Sequence, residues 1–215
     1  AGKLATSGEN NVYIGCQAGE QTVDGSNNVF LGHKAGHKTT DGQCGIAIGF
    51  YAGSCRNHDN GIFIGRYAGY GCNGATGAGN IAIGNEVGKC LTTGAYNVIL
   101  GWNAGCAGTT AGSNVFLGYY SGSLTNSGNN IAIGQEAGKG CSGSSGASNI
   151  SLGTSAGCGL STGGCNILMG SCAGRTVTSS CYNVFIGHEA GRSAGGNVTG
   201  NKNVSLGYAA SCNIT

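Results

Sequence analysis

Glu86, Glu136 and Glu189 occupy one recurring place in this chain, two residues past a glycine that closes an apolar triplet, and His33 and His188 occupy the place just before it. Carboxylates and imidazoles are the groups of acid–base chemistry, and a row of carboxylates on stacked coils is the arrangement that two-carboxylate glycoside cleavage would use. These three glutamates are several repeats apart, too far for a catalytic pair, so a solvated turn accounts for them better. The two histidines fall in equally distant repeats. The G-x-G patterns lack the strand-to-helix context that phosphate binding requires. The sequence thus points to a chain that is not an enzyme and carries no cofactor.

Cysteine chemistry is the stronger signal. Cys55 and Cys72 are 17 residues apart, Cys90 and Cys106 are 16, Cys141 and Cys158 are 17, and Cys165 and Cys181 are 16. These steps match the repeat described below. One coil rise of about 4.8 Å falls within the Cα separation of roughly 4.4 to 6.8 Å that a disulfide tolerates. Four staples between neighbouring coils are therefore expected. Cys16, Cys44, Cys172 and Cys212 have no in-phase partner and are left as free, irregularly paired or bridging between chains. A metal site is the competing explanation, but no C-x-x-C occurs and the four histidines are scattered. Disulfides imply an oxidising compartment, hence an extracellular, cell-surface or virion-surface location.

The elements that must position these groups are read from the repeat. Phrases such as "NNVFLGHKAG", "YNVILGWNAG" and "YNVFIGHEAG" recur along the chain, and the glycine that ends the apolar triplet falls at twelve places from Gly15 to Gly207. Its spacing runs 17, 17, 16, 19, then again 17, 17, 16, 19, then 17, 17, 20, so four units form a 69-residue block. The outer members of each triplet are aliphatic, from Val12 and Ile14 to Val204 and Leu206, whereas the middle member varies. Period-two alternation marks a strand with one face committed to a core. A small residue followed by glycine three places past the anchor marks a tight corner. Asn precedes the strand in ten units, replaced by Gly45 and Gly61, and stacked asparagines can form a ladder.

A coil of about 17 residues cannot bury its apolar residues alone, so stacked coils must share a core. The expected fold is all-β, a β-solenoid or parallel β-roll of about twelve coils, on the order of 55 to 60 Å long at one strand spacing per coil. Residues 1–8 form an N-terminal arm and 9–215 a single solenoid domain. A helical reading fails on the recurring glycines, and the absence of proline suits an uninterrupted sheet. With 46 Gly, 8% charged residues and a net charge of +2, the chain is neither a disordered polyelectrolyte nor a basic nucleic-acid binder. No stretch approaches the roughly 18 apolar residues of a membrane span.

The phrase N-x-V/I-x-I/L-G-x-x-A-G resembles the head repeats of trimeric autotransporter adhesins and the repeats of phage tail fibres. That resemblance covers nearly the whole chain and implies a left-handed parallel β-roll, assembly as a trimer and no catalytic residue.

The middle triplet residue is expected to point away from the core, yet no charge occupies it in twelve repeats. Tyr13, Phe30, Phe63, Ile99, Phe116, Leu168 and Phe185 on that stripe therefore read as an oligomer interface; loops folding over the stripe are the alternative. Phe50, Tyr51, Tyr67, Trp102, Tyr119 and Tyr120 lie just past the anchor glycine, where rings can stack on sugars or pack between chains. Threonines at 39, 40, 92, 93, 109 and 110 raise ice binding, but they form no unbroken row. Sequons begin at Asn149, Asn197, Asn203 and Asn213. Neither end reads as capped, so the chain is expected to be either a segment of a longer protein or a subunit that pairs its open edges into end-to-end filaments. The combined expectation is an extracellular structural fibre that associates with itself end to end or as a trimer and has some capacity for adhesion to a glycan or cell-surface ligand. A trimeric receptor-binding fibre or adhesin shaft, and an ice- or carbohydrate-binding solenoid, are the alternatives.

Overall fold

The computed structural model describes all residues except 56, 58, 72–74, 109, 194–197, 199 and 212–215. Cys72, Cys212, Thr109, Asn197 and Asn213 therefore lie outside the described residues. The fold is an all-β parallel solenoid with one strand per coil about every 17 residues. Residues Ala1–Gly112 and Ser113–Thr215 form two compact units. In the first, β1 (Val12–Ile14), β2 (Val29–Leu31), β3 (Ile46–Ile48), β4 (Ile62–Ile64), β5 (Ile81–Asn85) and β6 (Val98–Trp102) pair in parallel in chain order. In the second, β7 (Val115–Leu117), β8 (Ile131–Ile133), β9 (Ile150–Leu152), β10 (Ile167–Met169), β11 (Val184–Ile186) and β12 (Val204–Leu206) do the same. The register pairs like with like: Val12 faces Val29, and Ile167 faces Val184. Residues 1–8 add to this stacking, since Gly2 donates to Ala18 and Leu4 to Glu20.

The strand faces are the reverse of the expectation. The middle residue points into the coil: Phe30, Phe63, Phe185 and Leu168 are fully buried, as are the smaller Ala47 and Ala82. The flanking aliphatics point outward. Side chains on the inner row vary in size from coil to coil, as in Phe30, Ala47, Phe63, Ala82 and Ile99, although two large residues also follow one another directly at Tyr13 and Phe30 and at Leu168 and Phe185. The varied row is therefore the core, and the uniform rows are the surface.

Opposite the inner ring stands the corner. Ala68 is buried beside Gly69, whose φ is +60°, and a Cβ there would lie 1.9 Å from the Phe63 ring. Gly69 is thus required twice, once by its left-handed backbone and once by the lack of room. Where the inner residue is small, other positions fill the space: Val87 and Leu91 are buried in the coil of Ala82. In the coils of β8 and β9 the inner residues are Ala132 and Ser151, one after the other. A small cavity lined by Phe116, Ala132, Ser151 and Leu160 remains there, and the Ser151 hydroxyl has no hydrogen-bond partner.

The asparagines form the expected ladder. Asn166 donates its backbone N–H to the Asn149 carboxamide oxygen at 3.0 Å, and its own oxygen accepts from the Asn183 N–H at 2.9 Å. Its side-chain amide donates across the corner to the Ser180 carbonyl at 2.9 Å. In the first unit the Gly45 N–H donates to Asn28 at 2.8 Å, so the glycine receives the ladder without extending it. Asn149 and Asn203, which begin sequons, belong to this ladder.

Candidate functional site

The outer face of each sheet is built by alternation. Because the middle residue of every strand is committed inward, its two neighbours must point outward, and both are aliphatic in every coil. In the first unit the rows run from Val12 and Ile14 to Val98 and Leu100, and in the second from Val115 and Leu117 to Val204 and Leu206. Most are half-exposed because each is shielded by the like residue in the coil above and below. Ile14 reaches 63% exposure, and Ile131 and Ile133, on a strand paired on both sides, reach 37% and 39%. A solvated sheet face ordinarily alternates to polar residues. Here a continuous aliphatic surface is left uncovered, larger in kind than the scattered apolar residues of a monomer surface.

This placement corrects the interface expected from the sequence. Phe30, Phe63, Ile99, Phe116, Leu168 and Phe185 lie inside their coils, and Tyr13 is half-buried with its ring stacked on Phe30 at 5.3 Å. None of them lines an outer surface. The uncharged row is buried by its own chain. Corner glycines such as Gly36, Gly69 and Gly191 lie directly against these inner rings.

Two edges bound the outer face. At the entering edge, two residues before each strand, the backbone turns left-handed in residues such as Cys44, Tyr96, Cys165 and Tyr182, with φ between 54° and 61°. Tyr96 and Tyr182 project from it at 71% and 60% exposure. The leaving edge holds the one or two residues past the anchor glycine. There His33 stacks on Phe50 at 5.2 Å, Tyr51 stacks on Tyr67 at 5.5 Å, and Tyr70 meets both tyrosines edge-on. Lys34 lies over the Tyr51 ring and donates to its hydroxyl at 2.6 Å, while Arg66 and Lys89 cover Tyr67. The ring faces of Tyr51 and Tyr67 are thus occupied by one another and by cations. Of the remaining rings on this edge, Trp102 and Tyr119 are exposed and Tyr119 meets Tyr120 edge-on.

The glutamates take the solvated-turn role. Glu86 pairs with Lys89 at 3.3 Å, Glu136 with Lys139 at 3.1 Å, and Glu189 with Arg192, each three residues along the same corner. His188 stacks on Tyr208. His37 lies 3.4 Å from Glu20, and burial holds its pKa below the ordinary value against the pull of that carboxylate.

The cysteine phase also differs from the expectation. Counted from the anchor glycines rather than from each other, the paired cysteines miss alignment by one or two residues, because each cysteine spacing differs from the length of the coil it crosses. Cys165 donates its N–H to Ala147 in the coil before, and the residue that occupies the same place one coil later is Tyr182, which donates to Gly164. Cys181 stands one place off, its sulfur accepting from the Gly164 N–H at 3.3 Å. Cys141 and Cys158 each direct the thiol to a carbonyl of the next coil, Gly159 and Arg175. Cys55, Cys141, Cys158, Cys165 and Cys181 are unbridged thiols. Burial raises the Cys106 pKa, and nearby Cys90 adds to that shift.

No protein-family model, curated protein or solved structure matches this chain. Its function is therefore argued from the faces themselves.

Proposed function

We propose that this chain is the subunit of an extracellular structural fibre, without enzymatic activity, whose parallel copies pack through the outer aliphatic face. The observation that carries the reading is the pair of unbroken Val, Ile, Leu and Met rows left half-exposed on each sheet. A partner that covers such a surface along its length must repeat with the same rise. Another copy of this chain does so by construction, with its own aliphatic rows at the same height. Copies related by a rotation axis along the stack bring these faces together without leaving a free apolar side. Closed association of this kind suits the subunit of a fibre shaft, and the resemblance to trimeric adhesin heads favours three copies and an outside location. A shaft carrying a receptor-binding or adhesive element elsewhere uses the same face, so copy number does not separate it from a purely structural fibre.

Sedimentation equilibrium of the purified chain tests the reading. The expected result is a discrete oligomer of low copy number that resists dilution and shrugs off high salt, since apolar burial is not screened. A monomer at all concentrations overturns it.

A further inference from the structure

The coil of β10 carries a cysteine at each edge of the outer face. Cys165 stands two residues before Ile167, exposed, and Cys172 stands three residues after Met169, half-buried. Among the described residues no other coil has cysteine at both edges. The two are unbridged within one chain, with the strand Ile167–Met169 between them.

Between copies the geometry is different. In any closed assembly of parallel, in-register copies, the leaving edge of one copy meets the entering edge of the next at the same coil. This holds for two copies or three, because rotation about the stack axis changes direction but not height. Cys172 of one copy then faces Cys165 of its neighbour. At the same two places the coil of β9 has Ser148 and Ser155. The coils of β6 and β11 carry exposed rings at both edges, Tyr96 with Trp102 and Tyr182 with His188, the leaving-edge ring one residue nearer the strand. Other coils pair unlike residues, as Cys44 with Tyr51 in the coil of β3.

We propose that Cys165 and Cys172 form a covalent lock between neighbouring copies, a disulfide that closes the assembly into a ring of linked chains. Formation removes two protons and two electrons from the thiols. A small disulfide such as oxidised glutathione accepts them and leaves as two thiols. The inference rests on the association proposed above.

The test uses the full chain, with 14N- and 15N-labelled copies co-assembled, treated with oxidised glutathione and digested without reduction. Mass spectrometry is expected to find a peptide joining Cys165 to Cys172, including the mixed heavy–light form that only an interchain bond yields. Cys165→Ser and Cys172→Ser should each lose the link. Co-assembled with one another, the two variants should regain it as a linked dimer and nothing larger through this bond. A Cys172–Cys172 link, a bond from Cys172 to Cys158 of the same chain, or no link in a chain that sediments as an oligomer overturns the lock. Sedimentation as a monomer overturns the association itself, and the lock with it.

Discussion

On β4, Phe63 is fully buried while Ile62 and Ile64 on either side of it are half-exposed, and both faces of that strand are nonetheless apolar. The two faces obey different rules. The inner one must fill a closed space together with the corner and loop residues of its coil, so its members vary in size, from phenylalanine to alanine to serine. The outer one meets no wall of its own chain, and its members stay uniform because like side chains stack best on like. Uniformity therefore marks a ladder, and variation of size without charge marks a core.

The largest expected effect comes from emptying the inner face. Phe63→Ala should cost about 3 to 5 kcal/mol of stability, read from chemical denaturation, whereas Ile64→Ala should cost well under half as much in the isolated chain. Equal costs would erase the distinction between the faces. Next comes the ladder beneath the strand. Asn166→Ala leaves the buried Asn183 N–H and Ser180 carbonyl unsatisfied, while the backbone N–H at 166 still serves the Asn149 oxygen, at about 2 to 3 kcal/mol in all.

A third substitution tests the fit between the corner and the inner ring. Gly69→Ala should be severe beside Phe63, yet fall to about 1 kcal/mol, the cost of the left-handed backbone alone, when combined with Phe63→Ala. Ser151→Ala removes an unpartnered hydroxyl from the loosest part of the core and should leave stability unchanged or raise it by about 1 kcal/mol. The smallest effect is that of His37. Its folded pKa lies below the ordinary 6.5, so the unfolded chain binds the proton more readily. Stability is full above pH 6.5 and declines as pH falls below it, a slight loss that His37→Gln should abolish in pH-dependent melts.

Much of this fold was legible in the repeat: twelve strands, the parallel solenoid, the corner alanine and glycine, and the asparagine ladder. The inward and outward senses were not, because a three-residue strand that is apolar on both faces offers no polar side to orient it. Asn149 shows a second limit. The motif that marks a glycan acceptor is also the ladder residue followed by a strand, and only the hydrogen bonds to Asn130 and Gly163 tell the two apart. The cysteine pairs misled for a third reason, since the 16-residue step from Cys165 to Cys181 is one short of the 17-residue coil that it crosses.

The central claim, that the uniform aliphatics face outward and hold copies together, is tested most directly by placing a charge in mid-face. Ile133→Lys, examined by sedimentation velocity alongside circular dichroism, should give a folded monomer with the spectrum of the parent chain. An unfolded chain would place Ile133 inside, and a folded oligomer of unchanged size would show that copies meet elsewhere.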